Sequence, residues 1–195
     1  MVLRLVGSEM CIRDRASRGG FSFAIMENGE LIWISEKDGY KHIYRNRSDG
    51  RPINQITRGE WEVNSINAID TANDIIYFSA KKETETENHI YSVRLNGSRL
   101  KRITKEKGSH SSSFSPTLNY FINNYSSLTI PPKTFLKDQN GKNVRLLRDT
   151  DKSKFDEFGL TYPQLINIFT EDGTRLNALI TYPPVSYTHL RAHET

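Results

Sequence analysis

Residues 42–57, HIYRNRSDGRPINQIT, and residues 89–104, HIYSVRLNGSRLKRIT, decide the fold. Both open on His-Ile-Tyr, place a glycine at the same point (Gly50, Gly97) and close on Ile-Thr (Ile56-Thr57, Ile103-Thr104). These six positions match in register, at an offset of 47 residues. A weaker third copy has Thr134-Phe135, Gly141 and Leu147, with Gly141 lying 44 residues after Gly97. Upstream of each His-Ile-Tyr stands another strand that the sequence ends on serine: Trp33-Ile34-Ser35, then Tyr77-Phe78-Ser79. A unit of 44–47 residues holding four short strands is the pattern of propeller blades.

The rest of the chain agrees. Glu30–Ser35, His42–Arg45, Asp74–Ala80, Asn88–Val93 and Asn119–Asn123 are rich in β-branched and aromatic residues, as strands are. Between them stand Asn-Gly and Asp-Gly pairs, from Asn28-Gly29 to Asp172-Gly173, which suit tight hairpin turns. Helical periodicity is almost absent. Near residue 149 the pattern changes: a charged stretch, DTDKSKFDE, precedes Pro163–Phe169, a Thr-Glu-Asp-Gly turn and Arg175–Tyr182. The expected fold class is therefore all-β. Residues 16–150 form a partial β-propeller of about three four-stranded blades, 151–162 a linker, and 163–184 a β-hairpin outside the blade register.

The 195 residues are 36% hydrophobic, 26% charged and 10% aromatic, which supports a core and excludes a collagen-like or disordered chain. No run of 18 apolar residues exists, so no membrane span is expected. The net charge of +4 is small and its basic residues are interspersed with acids, so no nucleic-acid partner is expected. The single cysteine, Cys11, excludes a disulfide framework.

The two ends read as one DNA sequence on opposite strands. Arg4–Arg15 and Pro184–Thr195 can be paired so that position numbers sum to 199; Met10 (ATG) then faces His189 (CAT), Cys11 faces Thr188 and Ile12 faces Tyr187. All twelve pairs are codon-complementary, and the implied nucleotides resemble a sequencing-library adapter. Residues 1–15 and 185–195 are thus expected to be non-native. Cys11, His189 and His193 then carry no redox or metal meaning, and the native part, about Ala16–Pro183, is expected to be a piece of a longer protein.

Within that part, residues 33–44 (WISEKDGYKHIY), 56–63 (ITRGEWEV), His89-Ile90-Tyr91, Gly108–Ser111 leading to Phe114-Ser115-Pro116, and 171–177 (EDGTRLN) with Tyr182-Pro183-Pro184 form a set. Together they resemble the dipeptidyl peptidase IV family of prolyl oligopeptidase-like serine peptidases. The resemblance implies a propeller capping an α/β-hydrolase domain, with acidic residues of the propeller gripping the substrate's free N-terminus and the hydrolase supplying Ser, Asp and His. It implies release of N-terminal dipeptides with Pro or Ala second, a peptide substrate, no cofactor and, for the parent protein, a possible homodimer. The closing hairpin is then the start of the hydrolase domain. The sequence has no Gly-x-Ser-x-Gly and no Glu-Glu pair, so the catalytic and N-terminus-gripping residues are expected outside it and the piece alone is expected to be inactive. A periplasmic or secreted location follows from the resemblance. The alternative is a non-catalytic propeller that binds a protein or peptide; a hairpin outside the blade register speaks for the peptidase.

Several residues invite chemistry. Ser109-His110-Ser111 looks like the neighbourhood of a nucleophile, but adjacent residues on a strand face opposite ways, so a blade strand whose hydroxyls satisfy edge hydrogen bonds is expected. His42 and His89 occupy equivalent repeat positions, which argues for packing or a turn hydrogen bond, and no metal site is expected. Lys81–Glu87 (KKETETE) reads as a solvated loop, or as one that touches the hydrolase or a substrate. Arg99–Lys107 reads as an exposed edge strand protected by charge. Trp61 reads as an anchor between blades. Asn46, Asn96 and Asn124 head glycosylation-type triplets, a pattern that arises often by chance.

Overall fold

The computed structural model describes residues 20–151, 153, 157–159 and 161–182. The complementary ends, with Cys11, His189 and His193, lie outside the described residues, as does part of the 151–162 stretch.

Three four-stranded antiparallel sheets follow one another, each a simple meander. The first holds β1 (Phe23–Ile25), β2 (Leu31–Ser35), β3 (His42–Asn46) and β4 (Pro52–Gln55). The second holds β5 (Glu62–Asp70), β6 (Ile75–Lys81), β7 (His89–Arg94) and β8 (Lys101–Arg102). The third holds β9 (Ser109–Phe114), β10 (Tyr120–Ser126), β11 (Lys133–Asp138) and β12 (Asn143–Arg148). A separate two-stranded hairpin, β13 (Gln164–Phe169) and β14 (Arg175–Ile180), comes last. The chain is a partial β-propeller of three blades followed by a hairpin.

The His-Ile-Tyr repeat is the third strand of blades 1 and 2, and its glycine makes the turn into the fourth: Gly50 at φ 85° and Gly97 at φ 83°. Each element of the motif has one task. His42 Nδ1 and the Ile43 N–H both meet Thr57 Oγ1, at 3.2 and 2.9 Å, and His89 and Ile90 meet Thr104 Oγ1 at 3.2 and 3.1 Å. The closing Ile-Thr is thus strapped back onto the start of the third strand. Ile43 and Ile90 are fully buried between blades. The Tyr44 hydroxyl donates to Asp38 at 2.6 Å, and the Tyr91 hydroxyl donates to Glu83, each carboxylate coming from the loop before the strand. Burial, then the Asp38 hydrogen bond, pushes the Tyr44 phenol up to about 12; burial and Glu83 push Tyr91 up as well.

The blades are clasped in the same register. The Val63 N–H donates to Lys41 O at 2.8 Å, and 47 residues on the His110 N–H donates to Asn88 O at 2.8 Å. Between blades 1 and 2 lie Ile32, Ile43, Val63, Ile66 and Phe78; between blades 2 and 3 lie Tyr77, Ile90, Ile103, Phe114 and Phe121. β6 is buried on both faces because blade 2 has a neighbour on each side, which explains its continuous apolar run. β12 is exposed throughout.

Two readings need correction. β6 does not end at Ser79 but continues to Lys81. Ala80, not Ser79, faces His89, whereas Ser35 faces His42. The β6–β7 loop is longer than the β2–β3 loop, so the shared serine is a coincidence one residue out of register. Strand β6 also starts at Ile75 rather than Asp74, because Asp74 takes a left-handed φ of 56° in the turn.

Candidate functional site

A cavity opens between blades 2 and 3, along their first strands β5 and β9, with a volume of about 680 Å³. Asn64, Asn67 and Asn88 approach it from blade 2 and Ser111, Ser112 and Ser113 from blade 3. Among the described residues no charged one lines it.

Local backbone irregularity aims the asparagines. β5 pairs with β6 through two register shifts, one between Val63 and Ser65 and one between Ile66 and Ala68, which leave Asn64 and Asn67 as the extra residues. A β-bulge bends its strand and re-aims the side chain it carries. Asn64 Nδ2 donates to Asn88 Oδ1 at 2.7 Å, and Asn88 Nδ2 donates to His110 O at 2.7 Å. Asn67 Nδ2 reaches Ser112 O only at 3.5 Å. Behind them the hydroxyls of Ser65 and Ser79 are 2.7 Å apart. Two atoms of this wall, Asn67 Oδ1 and Ser112 Oγ, are buried with no hydrogen-bond partner among the described residues. Burying such groups unpaired is costly.

A second cluster lies at the same seam. The His89 and His110 rings are 5.2 Å apart, and Tyr125 stacks on His110 at 4.9 Å. His110 Nε2 bonds Glu106 O at 2.9 Å and Nδ1 meets Asn123 Oδ1 at 3.3 Å; His89 Nε2 meets Glu87 at 3.0 Å. Lys137, 1% exposed, places Nζ 2.9 and 3.1 Å from the two Glu106 oxygens. Burial pushes the His110 imidazole down, and the charge of His89 adds to it, against the hydrogen bond to Glu106 O. Burial acts to raise Glu106, but its main-chain hydrogen bond and Lys137 outweigh it and hold the carboxyl below its usual value.

The residues singled out from sequence take these places. His110 turns into the seam while Ser109 and Ser111 face out, as strand alternation requires. The expected role for the β9 hydroxyls fails at Ser112, whose Oγ has no hydrogen-bond partner among the described residues. His42 and His89 tie strands and seams together. Trp61 is buried against His42 of blade 1, edge-on at 5.1 Å, and stacked at 6.2 Å on Phe78 of blade 2. Arg102 of the β8 edge strand caps the carbonyls of Thr104 and Lys105. In the Lys81–Glu87 stretch, Glu83 and Glu87 are held by their own blade, and Glu85 accepts from Asn177 of β14 at 3.0 Å. The carboxamides of Asn46, Asn96 and Asn124 are all engaged internally. Asn64 and Asn67 were not singled out. Their signal was the apolar spacing of β5, where Val63 and Ile66 are three apart and break the period of two.

Comparison with known proteins agrees with this architecture. Residues 20–132 match the family described as the dipeptidyl peptidase IV (DPP IV) N-terminal region. A probable dipeptidyl-aminopeptidase B of Emericella nidulans is 35% identical over 155 residues, covering 75% of this chain and 17% of that protein. Dipeptidyl peptidase 4 of Trichophyton tonsurans is 30% identical over 156 residues, covering 77% of this chain and 20% of that one. The crystal structure of Porphyromonas gingivalis dipeptidyl peptidase 4 superposes with a TM-score of 0.74 at 25% identity, over 83% of this chain and 23% of that one. The chain thus spans about a fifth of the length of these relatives. Since the matched region takes in more than half of its residues, the chain belongs to the dipeptidyl peptidase IV family.

Proposed function

We propose that this chain is the substrate-gating propeller portion of a serine exopeptidase that removes dipeptides from free N-termini, with Pro or Ala at the second position. One observation carries the reading: three blades, joined by two equivalent clasps 47 residues apart, lead into a two-stranded hairpin that stands outside the blade register, in a chain whose relatives are named dipeptidyl peptidases. In this reading the propeller narrows access and the hairpin leads the chain toward a hydrolase domain. Serine, histidine and aspartate of that domain carry out acyl transfer, the histidine as base and an oxyanion hole holding the developing charge. The propeller supplies shape and polar contacts but no reacting group. Among the described residues no helix is long and apolar enough to cross a membrane, and we place the parent enzyme in the periplasm or outside the cell.

The test is to read the locus across both ends of this chain with long reads, express the uninterrupted frame, and assay release of nitroaniline from Gly-Pro- and Ala-Ala-p-nitroanilide. Release that stops when the substrate amine is acetylated supports the reading. A frame that folds and binds peptides but neither hydrolyses these substrates nor reacts with a fluorophosphonate would make it a binding propeller instead.

A further inference from the structure

The cavity between blades 2 and 3 has the chemistry of a peptide main chain. We propose that it binds an uncharged, extended peptide segment, which pairs with the free edge of β9 at Ser112 and is held by Asn67 and Ser112 side chains. This goes beyond the peptidase reading, since binding here requires no hydrolase.

Four observations support it. First, β9 is the edge strand of blade 3. The alternation that turns the His110 N–H outward to Asn88 O turns the main-chain groups two residues on, at Ser112, outward as well. Second, the neighbouring blade shows the same kind of edge occupied by backbone. Phe21 exchanges two main-chain hydrogen bonds with Ile66 on β5, at 2.7 and 2.8 Å, and Gly20 runs so close to Ser65 that a Cβ would lie 2.3 Å from its Oγ. On β9, among the described residues, the place opposite Ser112 O is held only by the long contact from Asn67. Third, the unpartnered atoms suit an amide: Asn67 Oδ1 accepts an N–H, and the Ser112 hydroxyl either donates to a C=O or accepts an N–H. Ser112 is 8% exposed, so its hydroxyl has little bulk water to turn to. Fourth, among the described residues the lining has neither charge nor aromatic ring. Absence of charge disfavours an acidic or basic ligand, and without a ring a sugar has no face to stack on. Strand addition to a sheet edge draws affinity from main-chain bonds and tolerates varied side chains, as a wall that meets many peptides requires.

The probe is a fluorescent peptide blocked at both ends, acetyl-Ser-Ala-Ser-Ala-Ser-amide, titrated by polarisation against the full 195-residue chain. Blocking removes the free amine, so capture of an N-terminus elsewhere cannot produce the signal. The expected result is saturable binding that falls about tenfold when alternate peptide nitrogens are methylated, since each methyl removes a main-chain donor. Ser112→Ala should weaken binding severalfold while leaving Tm unchanged or raised, because that hydroxyl bonds no other described residue in the free protein. Equal binding of the methylated peptide, unaltered affinity in S112A, displacement by maltotriose, or no binding at millimolar peptide would each overturn the proposal. None of these outcomes bears on whether the parent frame hydrolyses dipeptidyl nitroanilides.

Discussion

His89 and Thr104 meet at 3.2 Å, the same distance at which His42 and Thr57 meet in the preceding blade. In both places the threonine hydroxyl also accepts the N–H of the residue after the histidine. One hydroxyl therefore satisfies two buried groups and fixes the exit of each blade. Thr104→Val keeps the shape and removes both bonds, so it should cost about 1–3 kcal/mol. Thr57→Val should cost a similar amount, and Thr→Ser at either site should recover most of it. Urea midpoints of the four variants check this; a cost at one site only would break the equivalence of the blades.

Glu106 and Lys137 form an asymmetric pair. The Lys137 side chain is 1% exposed and that of Glu106 is 39% exposed. Glu106→Gln leaves an ammonium buried without its countercharge, a loss that partial exposure of the site brings down to about 2–3 kcal/mol. Lys137→Met leaves a carboxylate that water can still reach and fills the space with an apolar chain, so it should cost about 1 kcal/mol or less. The order of the two costs is the prediction, and the double variant should lie close to K137M. Denaturant titration at neutral pH reads all three; a larger cost for K137M would refute it.

How much of this was legible follows from particular residues. His42, His89, Trp61 and the glycine turns were readable because each repeats, or stands beside, a motif at fixed spacing. The strand end at Ser35 holds, whereas the one at Ser79 misled because loop length, not residue identity, sets register, and the β6–β7 loop is longer. Asn64 and Asn67 were not singled out because bulges are properties of a strand pair: only pairing with β6 shows which residues are left over. Likewise nothing in Ser109–Ser113 says which hydroxyl finds no partner, since that depends on the distance to β5.

Acid should open the seam between blades 2 and 3 in two stages. Burial first, and His89 next, hold His110 below its ordinary 6.5, so the folded protein keeps it neutral. That contribution is full above the unfolded value and is lost as pH falls through the lower folded one. Glu106 is held below its ordinary 4.5 despite burial, by its main-chain bond and Lys137, so its contribution is full above 4.5 and disappears at still lower pH. Tm should therefore decline first below about 6.5, and His110→Gln should flatten that first stage while leaving the second. A wild-type Tm constant from pH 7 to 5 would contradict this assignment.

Gly39 and Gly141 separate two reasons for a glycine in a turn. Both have left-handed backbones, φ 94° and 88°. A Cβ on Gly39 would meet nothing within 4 Å, whereas one on Gly141 would lie 2.3 Å from the carbonyl oxygen of Ile103, in the closing segment of the preceding blade. Gly97 stands the same way over Ile56 O, at 3.0 Å. The turn into the fourth strand of blades 2 and 3 is therefore seated on the Ile-Thr strap of the blade before it. Gly39→Ala should cost only the conformational penalty of a left-handed L-residue, about 1–2 kcal/mol. Gly141→Ala adds a clash with main chain that cannot rotate away, so it should cost at least about 2 kcal/mol more, with Gly97→Ala in between. Because the clash lies between blades, G141A should also speed proteolysis at the turn and at the blade 2–blade 3 seam, while G39A should not. Equal losses in G39A and G141A would mean that the turn carries no contact between blades.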